Sequence, residues 1–207
     1  MISFLRKGGE GGGKVVLPDN VGFYSTTFTD GSFLNKLDFD SIINATKLFS
    51  GCQNFNVPGG LTISLASATD CQNTFNSCKA LSAVNVSIPQ SKKIGNMFAS
   101  CTSLVTVNIS TTNALTSSYS AFNKCSNLQN LNEFDISNVT SMSGMFTQCT
   151  ALSNESLNNI LAMCSKNSKS YNKTLKDLGL TQDQATVCQT LSNWDAFVAA
   201  GWSAGNY

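Results

Sequence analysis

The sequence predicts an α/β repeat solenoid of short strands, closed by different structure at its two ends. Three observations carry this expectation. A phrase of phenylalanine, two residues, cysteine, two residues and a further apolar side chain recurs along the middle of the chain. Apolar residues alternate after several copies, the period of a half-buried strand. Beyond Leu152 the spacing of apolar residues becomes helical.

The recurring cysteines are Cys52, Cys78, Cys101, Cys125 and Cys149, separated by 26, 23, 24 and 24 residues. Phe49, Phe75, Phe98, Phe122 and Phe146 stand three before them, and Phe55, Leu81, Leu104, Leu128 and Leu152 three after. A unit of this length cannot bury its apolar positions alone, whereas stacked units share one continuous interior. Strands are expected where Leu81, Val84, Val86 and Ile88 alternate, again at Leu104, Val107 and Ile109, and again from Leu128 through Leu131 to Phe134 and Ile136. In an earlier unit Leu34, Asp38, Phe39, Ile42, Leu48 and Phe49 match Leu131, Asp135, Ile136, Val139, Met145 and Phe146, which places the start of the array near Leu34. About five coils then occupy residues 34–152.

The phrases FDISNVTSMSGMFTQCTAL and MFASCTSLVTVNI resemble the BspA-like branch of the leucine-rich repeat family and its relative with mycoplasma-type surface-protein repeats. The resemblance covers about residues 34–152 and loosens between Gly59 and Gln72, in LTISLASATDCQNTF. It implies a curved solenoid of leucine-rich-repeat type, with a strand ladder on one face used for binding at surfaces.

The five cysteines of the repeat form a structural ladder in this reading. Coils about 4.8 Å apart would bring them within bridging distance, but parallel side chains are poorly disposed for disulfides. They are expected to be reduced and buried, as small hydrophobes filling a corner between Phe and Leu. Cys71, Cys164 and Cys188 lie outside the column, and the sequence leaves their state open. No Cys-x-x-Cys occurs, which argues against structural zinc.

GGEGGGKV near the start has the glycine–lysine spacing of a phosphate loop but lacks the Ser/Thr after the lysine and a preceding strand. It reads instead as a flexible, Gly-rich anchoring arm over residues 1–15, held by other subunits of an assembly. Residues 16–33 read as strands and turns forming an N-terminal β cap. Residues 153–207 read as a helical C-terminal cap. SLNNILAMC has helical spacing, and TLKDLGL suits a short helix stopped at Gly179. Thr181 with Gln184 predicts a capping box, and Ser192 with Asp195 a second one before WDAFVAAG. Leu180, Ala185, Cys188, Leu191, Trp194, Phe197 and Trp202 then cover the open end of the last coil. The WDAFVAAGW ending also resembles closing segments on repeat proteins of gut bacteria and their phages.

Composition narrows the function. Charged residues are 12% of the chain against roughly 25% in ordinary domains. The formal net charge is +1, which gives no electrostatic case for nucleic acid or an anionic membrane. There is no histidine, and the carboxylates are few and scattered, so neither catalysis, nor a cofactor, nor a metal centre is expected. No apolar run approaches the ~20 residues of a membrane span, and no targeting segment is evident. These features lead to the expectation of a chain made in a cytoplasm that stays there or leaves within an assembly. Six Asn-x-Ser/Thr sequons occur, as a chain this rich in Asn, Ser and Thr produces by accident.

What remains is binding by an uncharged polar face. The outward strand positions Ser82, Asn85, Ser87, Thr106, Asn108, Gln129, Asn130 and Asn132 offer a row of hydroxyl and amide groups. The expected partners are a host-surface protein or a carbohydrate, with a homo-oligomer as a further possibility. The expected setting is a phage virion surface, with a bacterial or protist cell surface as the alternative.

Overall fold

A computed structural model describes residues 14–19, 21–23, 33–171 and 173–207. Their backbone winds as a parallel-strand β-solenoid of about five turns with few helices. Val15–Val16 (β1) pairs in parallel with Leu37–Asp38 (β2). Leu61–Ser64 (β3), Ala83–Ser87 (β4), Thr106–Ser110 (β5) and Asn130–Leu131 (β6) form a second parallel sheet in chain order. The register puts like on like: Leu61, Val84, Val107 and Leu131 share one inward row, and Ile63, Val86 and Ile109 the next. Each is buried, so the alternation read in the sequence is the pleat of the sheet.

β3 lies inside the segment whose sequence departs from the repeat pattern. Leu61 and Ile63 still supply the inward period of two, and pairing with β4 fixes the rest. At the other end of the array, Leu34 begins a 3-10 turn, Leu34–Lys36, and the strand starts at Leu37.

The phenylalanines form a single column. Phe49, Phe75, Phe98, Phe122 and Phe146 stack with centroids 5.3–5.5 Å apart and planes within 7° of parallel. Phe23 extends the column, 5.2 Å from Phe49, so the stack continues ahead of Leu34. Each fully buried ring contributes about 1.5–3 kcal/mol, and each stacked pair about 0.5–1.5 kcal/mol more.

The side of the coil opposite the strands is built from turns, which departs from an α/β alternation. Two positions in every coil adopt a left-handed backbone. Lys47, Asn73, Asn96, Ser120 and Gly144 stand two before the phenylalanine, and Gly51, Ser77, Ser100, Lys124 and Gln148 two after, all with φ between 51° and 79°. A left-handed residue every fourth position prevents an α-helix from propagating. Alternate amides do different work as a result. In the coil of Phe75, the amides of Asn73, Phe75 and Ser77 donate to Gly95, Met97 and Ala99 of the next coil. Those of Asn76 and Cys78 close local turns on Asn73 and Phe75. A line of single bridges, Asn44–Asp70–Lys93–Ser117–Ser141, runs parallel to the sheet along this side.

Among the described residues the α-helices all follow Ser153: Asn154–Ser165 (α1), Gln182–Cys188 (α2) and Trp194–Ala199 (α3). Ser153 caps α1 by accepting from the Ser156 amide, and Leu157, Ile160, Leu161 and Cys164 are buried along one stripe. The Thr181–Gln184 capping box is formed at the start of α2. The second expected box is not. Asn193 precedes α3 without a side-chain cap, and the Ser192 hydroxyl bonds Asn158 Oδ1 instead. TLKDLGL is also not helical. Thr174 bridges Ser203, while the carbonyls of Asp177 and Leu178 accept from Gly144 and Phe146, as another coil would. Pairing with the last regular coil overrides the weak local preference for helix.

Leu180, Ala185, Cys188, Phe197 and Trp202 are buried, and Leu191 and Trp194 pack against the same core. Residues 1–13 and 24–32, which carry the arm and most of the expected N-terminal cap, lie outside the described residues.

Candidate functional site

The strand ladder presents an outward face. Its rows are set by register: Thr62, Asn85 and Asn108 in one, Ser64, Ser87 and Ser110 in another, Ala83, Thr106 and Asn130 in a third. No charged side chain stands in these rows. Asn85, Asn108, Gln129 and Asn130 are exposed, while Ser82, Ser87, Thr106 and Asn132 are half-buried. Thr62, Ser64 and Ser110 join the face although the sequence reading did not single them out. The missed signal was the Thr-Ile-Ser of β3, which repeats the Asn-x-Ser of the next two strands.

Much of this polarity is spent within the protein. Asn108 Nδ2 donates to Asn85 Oδ1 at 2.7 Å, Asn85 Nδ2 to Thr62 Oγ1 at 3.3 Å, and Asn130 Nδ2 to Thr106 Oγ1 at 3.3 Å. The Asn132 side chain accepts from the Ile109 amide and donates to its carbonyl, standing in for backbone where β6 has ended. Ser82 bonds Asn56 Oδ1 through its hydroxyl and its amide. Ser82 and Asn132 are therefore positioning groups, and the free edge of the amide row is at Asn108 and Asn130.

The five repeat cysteines occupy one buried column. Each thiol donates to the carbonyl oxygen of the phenylalanine in the preceding coil: Cys78 to Phe49, Cys101 to Phe75, Cys125 to Phe98 and Cys149 to Phe122, at 3.0–3.1 Å. Cys52 does the same to Phe23. All eight cysteines are unbridged and buried. Burial pushes the thiols of Cys71, Cys149 and Cys188 up to about 12, and those of Cys78, Cys101, Cys125 and Cys164 well up also. Thiols held protonated in this way are poor nucleophiles and poor metal ligands. Among the described residues no group of three or more His, Cys, Asp or Glu is placed to hold a metal ion.

Two concavities stand out among the described residues. A groove of about 350 Å³ opens where β2 and β3 fail to pair, lined by Leu37, Phe39, Leu61 and Ile63 with Lys14 and Asp40 at its rim. A smaller cleft of about 140 Å³ lies between the last regular coil and the returning chain, where Ser141, Ser143, Tyr171 and Asp177 surround Met142 and Leu178. No helix among the described residues is long and apolar enough to cross a membrane.

Stacked parallel coils, an aromatic column and an uncharged strand face define a solenoid repeat protein. The chain belongs to the family described as "Mycoplasma protein of unknown function, DUF285", whose model matches residues 21–90 and 69–194. The two matches overlap along the array, as a repeat requires, and extend past Leu152 through α1 and α2. No curated protein and no solved structure matches the chain.

Proposed function

We propose that the protein is a non-enzymatic binding and display module of leucine-rich-repeat type, which holds its strand face outward for attachment to a host surface or glycan. The observation that carries the reading is the face itself: rows of small hydroxyl and amide side chains, interrupted at Ala83, uncharged and held in register by a parallel sheet. Such a surface is preorganised, so little side-chain entropy is lost when a polar partner docks. The segment after Ser153 serves as a cap, since it covers the apolar end of the last coil and satisfies its carbonyls. Gln184 Nε2 donates to the Cys149 carbonyl, and Asn159 Nδ2 to that of Leu131.

The setting we favour is a bacteriophage virion, with residues 1–15 as the arm that joins the module to other subunits and the solenoid displayed on the particle. A second reading, an adhesin domain of a bacterial cell surface, is favoured by the family description, which ties these repeats to mycoplasmas. Detection of the polypeptide in purified virions supports the first setting, and its recovery from a cell envelope instead supports the second. Attachment is tested separately with a folded multimer on whole cells and a glycan array. Failure to bind either removes the attachment reading in both settings.

A further inference from the structure

The cleft beside Tyr171 holds a carboxylate oxygen that makes no hydrogen bond among the described residues. On the face, the amides of Asn85, Asn108 and Asn130 bond neighbouring rungs. In the cleft, Asp177 uses Oδ2 to accept from the Thr174 hydroxyl at 2.7 Å, which leaves Oδ1 without a hydrogen bond among the described residues. Ser141 and Ser143, exposed residues of the last regular coil, line the same cleft. Tyr171 is 87% exposed, the most exposed large apolar side chain in the described structure, and the residue borders the same cleft. Met142 and Leu178, both buried, form the apolar floor.

We infer that this cleft is a binding subsite for a single neutral hexopyranose ring, such as the terminal residue of a surface glycan. The inference rests on the attachment reading above and names the ligand class of one site within it. A sugar ring needs an aromatic or apolar surface for its C–H face and a few fixed acceptors and donors for its hydroxyls. Tyr171 supplies the first, and Asp177 Oδ1 with the two serine hydroxyls the second. The cleft, at about 140 Å³, is well below the roughly 300–1,000 Å³ of a drug-sized site, which fits one ring rather than an oligomer. The Asp177 carboxylate selects against acidic sugars by like-charge repulsion. The geometry of the fold explains the location. Here the coil pairing passes from the repeat to the incomplete turn around Asp177, and Gly144 and Phe146 are the last residues to donate across it.

The test is saturation-transfer NMR on the full chain with methyl glucoside, galactoside, mannoside and N-acetylglucosaminide, and with a glucuronide as the acidic control. The expected result is transfer from at least one neutral glycoside and none from the glucuronide. Tyr171→Ala, at an exposed side chain, should weaken binding about tenfold. Ser141→Ala should weaken it less, and Lys79→Ala, at an exposed residue of an earlier coil outside both sites, should leave it unchanged. Absence of transfer from every neutral glycoside overturns the assignment, as does binding that survives Tyr171→Ala. Whole-cell attachment separates the two proposals: a multimer that binds cells but no glycoside retains the attachment reading and loses this subsite.

Discussion

Cys101 donates its thiol proton to the carbonyl oxygen of Phe75 across 3.0 Å, from one coil to the coil before it. The same oxygen accepts the amide of Cys78 within its own coil. One carbonyl thus ties a local turn to the next rung, and the side chain that reaches it must be small, apolar and a donor. Cysteine meets all three conditions. Replacing Cys101 by Ala removes the donor and leaves a small void, and should lower stability by about 1–2 kcal/mol in urea denaturation. Cys101→Val adds bulk without a donor and should cost at least as much.

Alkaline pH should unfold the protein. In the folded state the thiols of Cys71, Cys149 and Cys188 titrate at about 12, whereas in the unfolded chain they titrate near 8.5. The folded state therefore holds more protons between these values. The stabilisation is fully present below about pH 8.5 and is lost as pH rises toward 12. Each thiol ionised only in the unfolded chain contributes about 1.4 kcal/mol per pH unit. Circular dichroism should show the urea midpoint falling steadily above about pH 9. Iodoacetamide should label the native protein slowly at neutral pH and all eight cysteines once it is unfolded.

The left-handed columns mark sites of stored strain. Lys124 sits at φ 65° and Gln148 at φ 62°, where Gly51 already occupies the equivalent position of another coil. A non-glycine residue there costs about 1–2 kcal/mol, partly offset by the entropy that glycine loses on folding. Lys124→Gly should raise the thermal midpoint, and Lys124→Val should lower it. Equal midpoints for the two variants would contradict this account.

Gly95 makes room for a ring. A Cβ there would lie 2.4 Å from Tyr119 Cε1, so any larger residue must displace Tyr119, whose hydroxyl donates to Gln72 Oε1 at 3.0 Å. Gly95→Ala should cost about 1–3 kcal/mol. Because the conflict is with one side chain, Tyr119→Ala in the Gly95→Ala background should cost less than the sum of the two single changes, which a double-mutant cycle measures.

Asn167 joins α1 to the solenoid. Its side-chain nitrogen donates to the carbonyls of Ile136 and Val139, and its oxygen accepts from the amides of Lys169 and Ser170, in a residue only 1% exposed. All four hydrogen-bonding positions of the amide are filled. Asn167→Ala should destabilise by about 3 kcal/mol or more. Asn167→Asp should be worse at neutral pH, since a carboxylate would face two carbonyls, and lowering the pH should partly restore it.

The stack is written in the repeat. Phe75 and Cys78 recur at a fixed offset because every coil meets the same neighbour, and Val84 and Val86 alternate because a strand has two faces. Both regularities are local consequences of a shared interior, so they are written into single residues. The candidate face was legible for the same reason at Asn85 and Asn108. It was only faintly legible at Thr62, where Thr-Ile-Ser repeats Asn-x-Ser but the spacing drifts, and not at all at Ser82 and Asn132, whose polar groups serve partners distant in sequence.

The remaining features follow from contacts between distant parts of the chain. Left-handed residues such as Lys47 and Ser100 carry no compositional mark, since their conformation is imposed by amides that must reach the next coil. Thr174–Leu180 has the pattern of a helix yet pairs as a partial turn, because Gly144 and Phe146 offer donors that water would otherwise have to satisfy. The cleft around Tyr171 exists because that return brings Asp177 opposite Ser141. Contacts between residues far apart in the chain have no periodicity for a sequence to display.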